Sequence, residues 1–141
     1  MLESPVAAYV EAREARLRSS AALAAAMGGQ VRLYVAVPTD APLPYVVLAD
    51  QQALLEDGGC GVTEAELFDT IQWWSRPERP DKGAQARAIG SALLSALTSD
   101  VIIDGWDVVD VLVESERYAT DPDQSAHGTL VLQFLLSRQV A

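Results

Sequence analysis

The sequence predicts an α+β domain with one long β-hairpin among its strands. Two stretches of strong helix formers, about 4–27 and 81–98, carry apolar residues at helical spacing. The segments between and after them are rich in β-branched and aromatic residues and are bounded by glycine, proline and aspartate. Two of these segments flank Glu56-Asp57-Gly58-Gly59-Cys60-Gly61, the composition of a hairpin tip. At 141 residues the chain fits a single domain, 1–141. A chain of this length buries roughly 70% of its unfolded surface, so it needs no disulfide or metal to fold.

Ser4-Pro5 is a good helix start: a capping hydroxyl followed by proline at the first helical position. The spacing predicts one helix from there to Met27, with Val6, Val10, Leu17, Ala21 and Ala24 on one face. Arg13, Arg16 and Arg18 fall elsewhere, interleaved with Glu11 and Glu14, and Gly28-Gly29 ends the helix. Val31 to Val37 reads as a strand, and Pro38 to Pro44 as a proline-pinned turn. Tyr45 to Leu55 and Thr63 to Trp74 are the arms of the hairpin, with a flexible tip between them. On the second arm Ala65, Leu67, Ile71 and Trp73 share one face; Glu64, Glu66, Phe68, Thr70, Gln72 and Trp74 share the other.

Asp81 is placed to cap a second helix running to about Thr98, with Ile89, Ala92, Leu93, Ala96 and Leu97 as its apolar stripe. Asp104-Gly105 is a tight-turn signal between two short strands, the second continuing to Tyr118. Thr120 to Gly128 is a polar loop. Leu130 to Leu136 is apolar at nearly every residue, which predicts a strand inside the sheet.

Composition restricts the function. The net charge is −10, from 20 acids against 10 bases. So acidic a domain lacks the Lys and Arg needed to release counterions from a phosphate backbone. The charge fits either simple solubility or a surface past which DNA slides without sticking. The single cysteine, Cys60, leaves no intramolecular disulfide and no Cys-pair zinc site. A lone thiol suits assembly in a reducing cytoplasm. There is no apolar run of membrane-spanning length and no cleavable signal pattern.

Few residues suggest chemistry. Asp110, Glu114 and Glu116 alternate with Val109, Val111 and Val113, so on a regular strand the acids share a face. Three carboxylates there could hold a divalent cation, but amphipathic alternation accounts for them without one. Cys60 and His127 could pair as thiolate and imidazole. They lie in a loop tip and at a strand entrance with no recognisable signature around them, which fits an ordinary thiol and a surface imidazole. The glycines at 58, 59 and 61 are followed by Val62-Thr63-Glu64, not by the Lys-Ser/Thr that a phosphate loop requires. No Gly-x-Ser-x-Gly elbow is present. No cofactor, metal site or catalytic residue is therefore assigned, and the weight falls on surfaces. Trp73 and Trp74 must point to opposite faces of their strand. Trp73 is expected inside and Trp74 half exposed and open to a partner; the alternative is Trp74 covered by a helix or loop. The candidate interface residues are Trp74, Pro42 and Pro44 of the proline turn, and Asp57, Gly58 and Gly59 of the hairpin tip.

The stretch Met27 to Leu48, with Val37-Pro38 and Ala41-Pro42-Leu43-Pro44-Tyr45-Val46-Val47-Leu48, carries a resemblance. With it go Trp74-Ser75-Arg76, the helix Ala84 to Leu97, Asp104-Gly105, Glu116 to Asp123 and His127-Gly128. In order and spacing, from about Leu17 to Arg138, these segments resemble the tail-completion (tail-terminator) proteins of long-tailed phages and gene transfer agents. The chain departs from that pattern in a longer helical lead-in and in the glycine-rich tip holding Cys60. The resemblance implies a mixed, mainly antiparallel sheet flanked by two helices, with an extended hairpin. It implies a structural virion protein with no active site, in the virion tail at its head-proximal end and assembled in the host cytoplasm. The implied form is a homo-hexameric ring that stops tail tube polymerisation and contacts the tail tube protein and the head–tail connector (stopper). DNA would pass through its pore without specific binding, and no membrane is involved. The alternatives are a stopper or adaptor component of the connector, a small acidic module that mimics DNA charge, and, last, a hydrolase using Cys60.

Overall fold

The computed structural model describes residues 3–76 and 83–139. The N-terminal helical stretch is two helices, α1 (Val6–Arg18) and α2 (Ala21–Ala26), not one. The break falls at Ser19-Ser20. Ser20 adopts extended backbone and its hydroxyl accepts from the Leu23 amide at 3.1 Å, restarting the helix. Serine competes with helical hydrogen bonding in this way, which favours caps over helix interiors. The break turns Leu23 and Met27 into the core, while Ala21 stays exposed. The buried line of α1 is Tyr9, Arg13 and Leu17, so Arg13 lies on the inner face and not outside it as the sequence suggested.

Only Leu33–Tyr34 forms β1, in place of the longer Val31–Val37 strand expected. Val35 and Val37 are exposed, because the chain leaves the neighbouring strand and turns into Pro38, which has no N–H for a ladder. β2 (Tyr45–Gly59) and β3 (Val62–Ser75) form the hairpin. Its tip is tighter than the sequence suggested. Pairing reaches Gly59 opposite Val62, leaving a two-residue turn of Cys60 and Gly61 with φ of 52° and 77°. Positive φ at both positions is the hairpin turn that matches strand twist, and glycine fits it better than cysteine.

Helix α3 (Ala84–Thr98) starts at Gly83, which takes the left-handed conformation; Asp81, the expected cap, lies outside the described residues. Ala86, Ile89, Ala92, Leu93 and Leu97 are buried, close to the expected stripe. The Asp104-Gly105 turn closes through Trp106 N–H to the Ile103 carbonyl at 3.0 Å, but it joins a single bridge and not two short strands. The chain then runs as one strand, β4 (Asp107–Thr120), and returns as β5 (Ala126–Gln139).

The sheet order is β1-β2-β3-β5-β4. β1 pairs parallel with β2 and every other pair is antiparallel, so the sheet is mixed and mainly antiparallel in an α+β fold. β5 is hydrogen-bonded on both sides, as its apolar sequence predicts. All three helices pack on one face of the sheet. That inner face presents Val46 and Leu48 of β2, Leu67, Asp69, Ile71 and Trp73 of β3, and Leu130, Leu132, Phe134 and Leu136 of β5.

Trp73 is the largest buried side chain. Its indole N–H donates to the Ala86 carbonyl at 2.8 Å, tying β3 to the first turn of α3. The ring lies flat against Gly128, where a Cβ would overlap the indole, and close to Gly90, where a Cβ would strike Tyr118 as well. Both glycines are therefore space requirements. Replacing Gly128 with alanine is expected to cost about 3 kcal/mol, at the upper end of overpacking penalties, because neither the indole nor the strand can retreat. Chemical denaturation of Gly128→Ala against wild type measures it; an unchanged midpoint would show that Trp73 has room to move.

Candidate functional site

The outer face of the sheet, away from the helices, carries the surface chemistry. At the end nearest the proline turn, aromatic rings line up across the strands. Tyr34 of β1 is 6.0 Å from Tyr45 of β2, Tyr45 is 5.6 Å from Trp74 of β3, and Trp74 is 4.1 Å from His127 of β5. Cross-strand register creates the row: Tyr45 lies opposite Trp74, and Trp74 opposite His127. Trp74 and His127 stack with their planes 16° apart. Asp121 joins them from the loop before β5, accepting from the Trp74 indole N–H at 2.8 Å and lying 3.7 Å from His127 Nδ1. His127 Nε2 is buried without a hydrogen-bond partner among the described residues. Trp74 itself is half-buried, while Trp73 is wholly inside.

The six candidate interface residues fall into two groups. Trp74 and the proline turn belong to the aromatic end, where Pro42 is exposed but Pro44 is buried. The Pro44 carbonyl accepts from Arg32 and that of Leu43 from Arg76, so this side of the turn is scaffold and Pro42 is the part that offers surface. Asp57, Gly58 and Gly59 are exposed at the hairpin tip. The length of β3 separates the two groups by about 40 Å. Cys60 and His127 stand at these opposite ends as well, which removes them as a catalytic pair.

The three acids of β4 do not share a face. Register shifts between Val108 and Asp110 and between Val113 and Ser115 insert extra residues and reset the alternation. Asp110 pairs with Leu135 on the outer face, whereas Glu116 pairs with the buried Leu130 and accepts from Tyr118 at 2.5 Å. Among the described residues no cluster of His, Cys, Asp or Glu could hold a metal ion. No described helix is long and apolar enough to cross a membrane.

The polar group that sequence reasoning passed over is Asp69. It lies on the inner face of β3, fully buried, and accepts from Arg13 Nη1 at 2.9 Å and from the Tyr9 hydroxyl. The parity that places Leu67 and Ile71 inside places Asp69 there too, and Tyr9, Arg13 and Leu17 follow the four-residue helical repeat. Burial raises the Asp69 pKa, with the Arg13 guanidinium beside it and the Tyr9 hydrogen bond pulling the other way. Burial likewise holds the Tyr9 hydroxyl above its ordinary range, reinforced by the neighbouring Asp69. This cluster is enclosed and joins α1 to the sheet; it is structural.

The described residues thus form a helix-backed sheet with an open, aromatic-rich outer face. The sequence model of the family "Tail completion protein gp17" matches residues 14–137, and the chain belongs to that family, a structural component of virion tails. No curated protein matches. Among solved structures, a chain of "Virion of native gene transfer agent (GTA) particle" superposes with a TM-score of 0.77 at 22% identity, over 96% of this chain and 99% of that one. At that identity the likeness is one of fold.

Removing one partner of the buried pair leaves the other charge uncompensated. Arg13→Leu alone is expected to cost about 3–5 kcal/mol, and Arg13→Leu with Asp69→Leu to recover much of it. Denaturant midpoints for the two single variants and the double variant measure the coupling. A folded pKa raised above the unfolded value of about 3.9 means that this carboxyl favours folding at low pH. Its contribution is withdrawn as pH rises through the folded pKa. The stability of Asp69→Asn should therefore fall less over that interval than that of wild type; parallel slopes would contradict it.

Proposed function

We propose that this protein forms a ring at the head-proximal end of a tail tube, ends tube assembly there and joins the tail to the head connector. Membership of the tail completion family over nearly the whole chain carries this reading. The fold it shares with a chain of a gene transfer agent virion is consistent with it. The role is non-enzymatic: it needs two contact surfaces and a self-interface, and no reacting group.

Three physical features support the proposal. Helices cover one face of the sheet only, which leaves the other for neighbours. A heterologous interface, in which different patches meet, is what closes a ring of identical chains. The two groups of candidate contact residues, Trp74 with Pro42 and the Asp57–Gly59 tip, are different patches at opposite ends of β3, which fits such an interface. Each copy also brings a charge of −10, so a ring presents strong negative potential and lets DNA pass without adhering.

Deleting the gene and imaging induced particles tests the role. The expected result is filled heads apart from headless tails whose tubes are of abnormal length. Tails of normal length that fail to join heads would move the protein to the connector side, and normal particles would remove the virion role. For the self-interface, Trp74→Ala is expected to shift the purified protein from ring towards monomer in sedimentation analysis while retaining a cooperative unfolding transition. An unchanged ring would take Trp74 out of the interface.

A further inference from the structure

We infer that the outer face of the sheet near the hairpin tip is a docking groove for a basic amphipathic helix of another protein. It goes beyond the ring proposal by naming the chemistry of a partner. The groove has a volume of about 580 Å3 and crosses β2, β3, β5 and β4. Register sets its floor. Leu54 lies opposite Glu66, Glu66 opposite Leu135, and Leu135 beside the bulged turn of β4 that carries Val109. Leu54 is 49% exposed and Val109 is 66% exposed, large apolar side chains open to solvent. Val109 reaches this floor because the β4 bulge releases it from the regular alternation.

The rim is acidic. Glu56 and Glu64 face each other one row nearer the tip, and Glu66 stands between Leu54 and Leu135. None of the three meets a cation among the described residues. Three carboxylates with no cation partner among the described residues, set among exposed leucine and valine, complement a helix that carries Lys or Arg beside its apolar residues. Three inter-strand spacings make the floor about 14 Å wide. One α-helix with its side chains is roughly 10–12 Å across. The open backbone edges of β2 and β4 border this floor, but a segment seated on the floor itself meets side chains and no ladder of backbone hydrogen bonds.

A second copy of this chain is poorly equipped to fill the groove. Arg13 is buried against Asp69, Arg16 binds carbonyls at the end of α3, and Arg18 pairs with Glu14. Arg32 and Arg76 bind carbonyls of the proline turn, and Arg138 pairs with Glu3. Six of the chain's ten cations are thus engaged within it, which favours an occupant from a different protein.

The test uses the full chain and two synthetic helical peptides of about 14 residues, each with leucines at i, i+3, i+4 and i+7. One carries lysine at the remaining positions and the other glutamate. Backbone amide shifts locate binding, and fluorescence anisotropy measures it. The lysine peptide is expected to bind with shifts centred on Leu54, Glu66 and Leu135, and to weaken with salt. Glu64→Lys with Glu66→Lys should weaken it about tenfold or more. Glu11→Lys with Asp40→Lys makes the same change in net charge away from the groove and should leave binding nearly unchanged. Equal losses in both variants, or shifts centred elsewhere, would reduce the effect to overall charge and overturn the proposal. Loss of self-association in Leu54→Asp would assign the groove to a second copy and overturn it as well. Only this chain and a peptide are present, so the result stands apart from whether gene deletion disrupts tails.

Discussion

A carboxylate buried in the middle of a sheet has to be answered, and the answer dictates where the first helix lies. Asp69 is on the inner face of β3 with no access to water. Arg13 supplies the opposite charge and Tyr9 a second hydrogen bond, so α1 must cross the sheet at that point. Tyr9 then packs against Phe134 of β5, with ring centroids 4.8 Å apart, which links the helix to the strand beyond β3. One turn further along, Arg16 reaches the Ala96 and Ser99 carbonyls and satisfies the open C-terminal end of α3. The polar residues of one short helix thus orient the whole helical layer.

Layer placement has a functional consequence. With Trp73 anchoring α3 to the sheet and α1 held by Asp69, all the helical cover is on one side. The opposite face is left with half-buried aromatics at one end and exposed leucine and valine at the other. A monomer gains little from such a face; an assembly gains an interface. The two ends differ in character. The aromatic end is internally connected through Asp121, whereas the tip end is apolar, acidic and open. The proposed role, contact with copies of itself and with unlike neighbours, calls for two such surfaces.

Much of the fold was legible because the hairpin and the last strand carry simple periodic signals. Alternation along β3 assigned its faces, including the opposed directions of Trp73 and Trp74. The continuous apolar run of β5 announced a strand bonded on both sides. The failures have specific causes. Ser19-Ser20 looked like two tolerable residues within a long alanine-rich helix, and only packing against α3 makes the break worthwhile. On β4, strict alternation put three acids on one face, but two bulges reset the parity, and bulges leave no dependable mark in a single sequence. Of the candidate surface residues, Pro42 and the tip glycines are exposed as their turn chemistry implies. Pro44 is buried because neighbouring carbonyls and arginines close over the turn.

The sequence by itself determined the α+β class, the hairpin, the acidic charge and the family resemblance, since each rests on local pattern or on the order of segments. Tertiary structure decided which polar residues are core and which are surface. Asp69, Arg13 and Glu66 all look like solvated charges in a linear reading. Burial of the first two depends on helix and strand meeting across 56 residues of chain. The groove beside Glu66 depends on four strands aligning leucines that are distant in sequence. Contacts of that kind come from register and layer packing, and no local propensity encodes them.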